Sequence, residues 1–180
     1  MTWQKIARRI RVPLGFAFAA IYLWLARPTI PSLAAGVVIA LIGLIIRGVA
    51  SGHVRKNEQL TTSGPYAYTR NPLYLGSILL GAGFVVAARN WWIAALLVVF
   101  FLLIYVPVIR SEEAFLRQHF PEFEDYTRRV PRLVPRLHAP QSFVEGFSRE
   151  LYWQHREYNA ALGTFFMLAA LVLKMFLSSQ

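Results

Sequence analysis

The sequence predicts an all-α, polytopic integral membrane protein, and two observations lead to that fold class. Of its 180 residues, 56% are apolar, well above the roughly 45–50% of soluble proteins. These residues concentrate into five runs that contain no Asp or Glu, and only Lys174 in the fifth run is basic. Because a soluble core helix is normally amphipathic, runs without charge indicate membrane spans. The length is that of one domain, residues 1–180.

The five runs cover residues 12–26, 30–46, 72–88, 91–109 and 159–177. The first is shorter than the about 20 residues that a span needs, and it reaches that length only with its flanks. Short connections join the first run to the second and the third to the fourth, so both pairs are predicted to form tight helical hairpins. Pro107 predicts a kink near the end of the fourth helix.

The basic residues predict an orientation in the membrane. With a cytoplasmic N-terminus and five crossings, only Arg27, Arg89 and Lys174 of the 19 basic residues fall outside the cell. Cytoplasmic loops of membrane proteins carry an excess of Lys and Arg, and every loop here obeys that rule. All nine acidic residues lie on the cytoplasmic side in this arrangement. Any chemistry that depends on carboxylates is therefore expected there, and the C-terminus is expected outside.

Two cytoplasmic segments are predicted, residues 47–70 and 110–158. Pro131 and Pro135 enforce an extended or turning path in the second segment. Further on, Phe143, Phe147 and Leu151 share one helical face. Residues 142–156 are therefore predicted to form a helix on the membrane surface, followed by the fifth span, within a C-terminal part of residues 142–180.

The stretch TTSGPYAYTRNPLYLG, residues 61–76, is unusually rich in aromatic rings and hydrogen-bond donors for a membrane linker. Gly64-Pro65 and Asn71-Pro72 are chain-breaking dipeptides, and Pro72 suits the first turn of a helix. One interpretation is an interfacial belt of Tyr and Arg, with Asn71 as a helix cap. The other is a ligand pocket.

Glu112 and Glu113 follow Arg110 directly after the fourth span. They fit a solvated helix face in which the pair binds Arg117 about one turn later. Alternatively, one glutamate binds the hydroxyls or amine of a ligand, and Arg110 holds an anionic group as a bidentate fork. Such a site at the cytoplasmic membrane face would meet both a soluble cofactor and a lipid substrate.

Several classes of site are disfavoured by what the sequence lacks. The four histidines are scattered singly, without metal-ligand spacing, so no metal site is predicted. The absence of cysteine excludes disulfides, thiolate metal sites and a cysteine nucleophile. No glycine-rich phosphate loop is present. The arginines are spread over membrane-proximal loops, so no nucleic-acid partner is expected.

The run GPYAYTRNPLYLG resembles the G-x-Y-x-x-x-R-H-P-x-Y-x-G signature of the isoprenylcysteine carboxyl methyltransferase family. The similarity continues through R-x-E-E-x-x-L, an aromatic-acidic stretch ending in Tyr126, and RRVPRLVP. It defines a core of residues 57–137. Phospholipid N-methyltransferases share this architecture, and membrane sterol reductases do so more distantly.

The resemblance implies methyl transfer from S-adenosylmethionine to a membrane-embedded, lipid-like or prenylated acceptor. Carboxyl O-methylation of an isoprenylcysteine-type substrate is expected first. Three alternatives stay open: N-methylation of a phospholipid amine, reduction by a nicotinamide-dependent enzyme of related fold, and a cofactor-free scaffold.

The resemblance also implies residue roles. The cofactor-binding residues it implies are Glu58, Gln59, Leu60, Thr61, Tyr66, Arg70, Asn71, Pro72, Tyr74, Glu112 and Glu113. Arg110, expected to hold a substrate carboxylate, and Glu113 are the implied catalytic residues. Asn71 stands where the family usually has His, and asparagine cannot take up a proton near neutral pH. This position is therefore a poor candidate for a general base.

Overall fold

The computed structural model describes residues 15–55, 58–138 and 146–177. Within these residues all regular structure is helical, which confirms the all-α prediction. In chain order the elements are α1 (Gly15–Leu25), α2 (Ile30–Ser51), a 3₁₀ turn (Gly64–Ala67), α3 (Pro72–Ala88), α4 (Trp91–Phe100), a π-helical segment (Phe101–Tyr105), α5 (Val106–His119), α6 (Phe123–Arg129), α7 (Arg149–Gln154) and α8 (Tyr158–Leu177).

Each of the five apolar runs coincides with a helix. Three helices are long and apolar enough to cross a membrane: α2, the continuous helix Trp91–His119 that contains α4 and α5, and α8. The other two, α1 and α3, are apolar but shorter. Residues 12–14 of the first run lie outside the described residues. The chain is therefore an integral membrane protein, and the five crossings and their orientation stay predictions.

Helices α2 and α3 pack backbone against backbone. A Cβ atom added to Gly36 would lie 2.5 Å from the carbonyl oxygen of Gly83, and one added to Gly43 would lie 2.6 Å from that of Gly76. Only glycine permits so close an approach. Since Gly36 meets Gly83 and Gly43 meets Gly76, the two helices run antiparallel. The C-terminal end of α2 therefore lies beside the N-terminal end of α3.

A small apolar core joins the opposite ends of the same helices to α1 and α8. Its fully buried members are Tyr22, Ala26, Ala87, Ala88, Ile93 and Leu171. The Tyr22 hydroxyl donates to the Phe84 carbonyl over 2.9 Å. The Lys174 ammonium donates to the carbonyls of Leu23 and Trp24, at 2.6 and 2.9 Å. These carbonyls end α1, so Lys174 satisfies two acceptors that the helix cannot pair itself.

The helix that contains α4 and α5 widens just before Pro107. Pro107 has no N–H to donate into the helix. The five residues preceding Val106 form a π-helical segment, in which the Val106 N–H reaches back to the Phe101 carbonyl. A π turn is a recognised way to accommodate a break in helical hydrogen bonding. A widened turn therefore precedes Pro107, and the kink expected there stays a prediction.

The predicted surface helix over residues 142–156 is wrong in its extent. Residues 139–145 lie outside the described residues, and the helix covers only Arg149–Gln154. Gly146 has a φ of 82°, and Ser148 caps the helix by accepting from the Leu151 N–H. Phe147 packs against Gly52 and the His53 ring instead of continuing a helical face. Because of these local features, the helix begins at a later residue than the apolar periodicity predicted.

Candidate functional site

Glu113 lies at the centre of a buried polar cluster that joins the two segments of the family resemblance. Its side chain is 5% exposed. Arg132 donates to both of its oxygens: Nη2 lies 2.8 Å from Oε2, and Nε lies 3.0 Å from Oε2 and 3.2 Å from Oε1. Asn71 Nδ2 donates to Oε1 over 3.3 Å, and Arg70 Nη2 lies 3.4 Å from the same oxygen. The hydrogen bond to Glu113 raises the pKa of Arg132 further above its ordinary value.

The proline-rich segment after α6 carries Arg132 into this cluster by pairing with the loop before α3. The Arg70 N–H donates to the Pro131 carbonyl over 2.9 Å, and the Arg136 N–H donates to the Tyr68 carbonyl over 3.0 Å. Thr69 Oγ1 lies 3.2 and 3.1 Å from the carbonyls of the next two residues after Pro131. The two segments therefore lie side by side, as the extended path predicted for this segment allows.

A buried tyrosine of α6, Tyr126, binds the same loop at its buried residue Tyr66. The Tyr126 hydroxyl donates to the Tyr66 carbonyl over 2.7 Å. Tyr126 packs with Phe123 and Val130, and Leu60 lies against that group. Burial raises the pKa of both phenols well above the ordinary value, and for Tyr66 the Tyr126 phenol and the Glu112 carboxylate raise it further. Both hydroxyls therefore stay protonated at physiological pH.

Asn71 is not a side-chain cap of α3. It occupies the N-cap position, yet its side chain makes no capping hydrogen bond. Its Nδ2 instead donates to Glu113 and to the Arg132 carbonyl, the latter over 2.9 Å. The residue is 8% exposed. The cap interpretation of this position is therefore wrong, and Asn71 belongs to the polar cluster.

Glu112 and Glu113 have opposite environments. Glu113 is buried, whereas Glu112 and Arg110 are exposed. The expected pairing with Arg117 is wrong, because Arg117 binds the Glu124 carboxylate of α6 and lowers the pKa of that group. The solvated-face interpretation thus fits Glu112 and fails for Glu113.

The other residues to which the resemblance gives a role in cofactor binding differ in how exposed they are. Glu58 and Gln59 are exposed, and Pro72 is fully buried at the start of α3. Thr61 is buried, and its Oγ1 lies 3.4 Å from the Arg55 N–H. Tyr74 meets Tyr105 edge to face, with ring centres 5.6 Å apart. The structure thus unites Arg70, Asn71 and Glu113 in direct contact and places the others around them.

Arg132 and Arg47 are the residues that sequence reasoning missed. Arg132 lies in the RRVPRLVP block, which the family resemblance included without a role for any single residue. Arg47, at the end of α2, ion-pairs with Glu157 just before α8 at 2.5 Å. It also donates to Ser77 Oγ and to the Leu73 carbonyl of α3. The signal in the sequence was that Arg47 is a single arginine directly after the second apolar run, where a charge needs a partner.

Histidine and carboxylate side chains do not cluster as metal ligands in the described parts of the chain. No group of three or more of them could hold an ion there. His53 is buried, with Nδ1 2.7 Å from the Val49 carbonyl oxygen. The absence of a metal site stays a prediction.

Comparison with protein families gives the wider setting of this cluster. Residues 11–122 match the family described as phospholipid methyltransferase, which is well over half of the chain. The chain belongs to that family. It falls in the group of membrane methyltransferases that also includes the isoprenylcysteine carboxyl methyltransferases, so the family resemblance is confirmed. The match ends before Tyr126 and the RRVPRLVP block, whose correspondence stays a prediction.

Two curated relatives share a shorter segment. The chain is 42% identical over 83 residues to the cobalt-zinc-cadmium resistance protein CzcN of Cupriavidus metallidurans, covering 46% of this chain and 38% of that protein. It is 39% identical over 83 residues to the nickel-cobalt-cadmium resistance protein NccN of Alcaligenes xylosoxydans xylosoxydans, covering 46% and 39%. The match thus spans less than half of each relative's length. No solved structure matches the chain significantly.

Proposed function

We propose that this protein transfers a methyl group from S-adenosylmethionine to the polar head of a membrane-embedded, lipid-like acceptor. The observation that carries the proposal is the polar cluster around Glu113, which joins both motif blocks of a methyltransferase family at one end of an apolar helix bundle. A carboxyl head on an isoprenoid-like lipid is the acceptor that we propose first. An amine head of a phospholipid is the alternative within the same reaction class.

Glu113 acts in this proposal as the anchor of the site. Its oxygens accept five contacts from Arg132, Asn71 and Arg70. A carboxylate offers about four lone-pair sites, so little capacity is left for a ligand. We therefore revise its implied role from cofactor binding and catalysis to fixing the relative position of the two segments.

Glu112 and Arg70 are the groups that we assign to the cofactor's amino-acid end. Glu112 is exposed, and its negative charge adds to the effect of burial in raising the pKa of the Tyr66 phenol. Arg70 Nε is buried and has no hydrogen-bond partner among the described residues. An ammonium fits the free carboxylate, and a carboxylate fits the unpaired guanidinium N–H. The donor set present thus suits the amino-acid end of S-adenosylmethionine.

The reaction proposed for this site needs little acid–base chemistry from the protein. When bound, S-adenosylmethionine supplies an already activated methyl group. A carboxylate acceptor is ionised at neutral pH, so the residues need only align it, with Arg110 holding the acceptor, and exclude water. Tyr66 and Tyr74 would line the cofactor pocket and present aromatic faces to a cation. If the acceptor is an amine, it must also lose a proton, and taking up that proton would compete with the role of Glu112 in binding the cofactor's ammonium.

Calorimetric titration of the purified protein in detergent with S-adenosylhomocysteine tests the proposal. Saturable binding that Glu112→Gln weakens about tenfold is expected, since a charge-assisted hydrogen bond is lost. Glu122→Gln, another exposed glutamate near α6, is the matched control and should bind like the wild type. Binding of a reduced nicotinamide without binding of S-adenosylhomocysteine would favour the reductase alternative. Transfer of labelled methyl to a panel of lipid acids, amines and phenols would then identify the acceptor.

A role in metal resistance is a second candidate function, favoured by the similarity to CzcN and NccN. In this version, the same methyl transfer supports growth of the host in cobalt, zinc or cadmium. Deletion of the gene should then lower tolerance to these ions. The wild-type gene should restore tolerance and the Glu112→Gln variant should not; restoration by both would separate resistance from methyl transfer.

A further inference from the structure

The end of the bundle opposite the Glu113 cluster holds a cavity of about 480 Å³. It lies where α1 ends, α2 begins, α3 ends and α8 ends. Its lining includes Arg27, Arg89 and Lys174, together with Trp24 and Thr29. At 1.5 Å per residue, the 17 residues of α3 place this end about 25 Å from the Glu113 cluster. It is therefore a separate place in the molecule.

The charge of this cavity is unbalanced. The three basic residues in its lining are the ones that the predicted topology assigns to the far side of the membrane, where basic residues are normally sparse. None of the nine acidic residues lies in the segments that form this end of the bundle. Three basic side chains from three separate helix ends thus line one cavity, and its described lining contains no Asp or Glu to balance them.

The backbone adds to the positive potential. Helix α2 begins at the cavity with Thr29 as its N-cap, has 22 residues and carries no acidic residue in its first turn. The partial positive charge of a helix N-terminus favours anions. The Lys174 ammonium is held in place by the carbonyls of Leu23 and Trp24, so its position is fixed before any ligand arrives.

Trp24 indicates at which depth of the membrane this cavity lies. Its side chain lines the cavity and is 79% exposed. Exposed tryptophans of membrane proteins favour the interface at the level of the lipid headgroups. Basic pockets between membrane helices bind anionic headgroups on the cytoplasmic side of other membranes, and the same charge chemistry is present in this cavity on the opposite side.

We propose that this cavity binds a phosphate group, with Arg27 and Arg89 as its mobile ligands and Lys174 as its fixed cation. The chemistry suits either the phosphodiester of an anionic lipid headgroup or free phosphate. In the lipid case the cavity anchors the bundle to one leaflet, independently of the methyl transfer proposed at the other end.

Titration of the full-length protein in a maltoside detergent tests the proposal, with two probes followed by calorimetry. Dihexanoylphosphatidylglycerol below its micellar concentration represents the lipid, and inorganic phosphate represents the free anion. The double variant Arg27→Gln/Arg89→Gln should weaken binding of the preferred probe about tenfold or more, since charge-assisted hydrogen bonds are lost. Tighter binding of the lipid assigns the site to a headgroup, and tighter binding of phosphate assigns it to the free anion.

The matched control is Arg128→Gln/Arg129→Gln, which removes two exposed cations from α6 at the other end. It should leave the affinity for either probe unchanged. Equal affinity in the wild type and the Arg27/Arg89 variant, an equal loss in the control, or no binding of either probe would overturn the proposal. Retained binding of S-adenosylhomocysteine by the Arg27/Arg89 variant would show that its fold and the cofactor site are intact.

Discussion

The two ends of the helix bundle handle charge in opposite ways. At the Glu113 end, one buried carboxylate binds two guanidinium groups, and among the buried side-chain nitrogen and oxygen atoms of the described residues only Arg70 Nε lacks a hydrogen-bond partner. At the opposite end, Arg27 and Arg89 are exposed around a cavity whose described lining has no acidic residue. A buried charge must be paired within the fold, whereas charges at a cavity mouth can be satisfied from outside. Substitutions at the two ends should therefore have different consequences for stability.

The largest expected effect comes from removing the carboxylate that anchors the Glu113 end. Glu113→Ala leaves the Arg70 guanidinium buried without its counter-charge and removes one of the two acceptors of the Asn71 side chain, which we expect to cost about 3 kcal/mol. Thermal unfolding in detergent, followed by circular dichroism, measures the loss. Glu112→Ala is the matched control, since an exposed carboxylate should change stability by only about 0.5 kcal/mol. Equal losses of stability in both variants would contradict the assignment of Glu113 as the buried anchor and Glu112 as an exposed residue.

A somewhat smaller loss should follow from separating α2 and α3, the helices that connect the two ends. Gly43→Val forces a side chain against the backbone of Gly76 and Leu80, and overpacking of this kind costs about 1–3 kcal/mol. Gly163→Val in α8 is the control, because no atom of the other described segments lies within 4 Å of the added Cβ. The melting temperatures of the two variants give the comparison. A larger loss in the α8 variant would contradict the close packing of α2 against α3.

Replacing Asn71 tests how specifically the Glu113 end is built. Asn71→Ala removes the donor to Glu113 and to the Arg132 carbonyl, at an expected cost of about 1–2 kcal/mol. Asn71→His restores one ring N–H and should recover part of that stability. Because imidazole titrates near pH 6.5, binding of S-adenosylhomocysteine should become pH-dependent between about pH 5.5 and 7.5 only in the His variant. The same pH profile in the wild type would place the titrating group elsewhere.

The hydrogen bond beneath the loop should contribute less. Tyr126→Phe removes the donor to the Tyr66 carbonyl, at an expected cost of about 1 kcal/mol. Burial raises the pKa of the Tyr126 phenol in the folded state. The stability linked to this group is therefore complete below the ordinary pKa of about 10 and is lost as pH rises above it. Melting temperatures from pH 8 to 11 should fall less steeply in the Phe variant; parallel curves would contradict this.

At the opposite end, the smallest effect is expected. Arg27→Gln/Arg89→Gln removes two exposed charges that have no acidic neighbour, so the melting temperature should change by an amount equivalent to about 0.5 kcal/mol or less. Relief of repulsion between the cations would make that change a gain. A loss as large as that of Glu113→Ala would show that both ends depend on paired charge.

Local sequence signals predicted much of this architecture. The absence of charge placed the five apolar helices, and Gly64-Pro65 and Asn71-Pro72 marked the loop that holds the site. The surface helix failed because its apolar periodicity was outweighed by Gly146 and by the Ser148 cap. Periodicity reports only which face is apolar, whereas caps and left-handed residues fix where a helix begins.

The site was predictable as a pair of segments but not as a set of contacts. The family resemblance named Arg70, Asn71 and Glu113 as members of one pocket, and the structure brings them into contact. The resemblance did not show which of Glu112 and Glu113 is buried, because burial depends on which side of the helix faces the rest of the protein. Arg132 was missed for a similar reason. Its contact with Glu113 depends on long-range pairing between the segment after α6 and the loop before α3, which no local pattern encodes.

The widened turn at Phe101–Tyr105 determines in which direction around the helix axis each side chain of α5 points. A π turn holds about one residue more than an α turn, so each later side chain is rotated by about 100° relative to an uninterrupted α-helix. Neighbouring residues of an α-helix differ by that same angle. In an uninterrupted helix, Glu112 would point in the direction that Glu113 now takes. One additional residue in that turn thus selects which of two adjacent glutamates becomes part of the protein interior and which stays exposed.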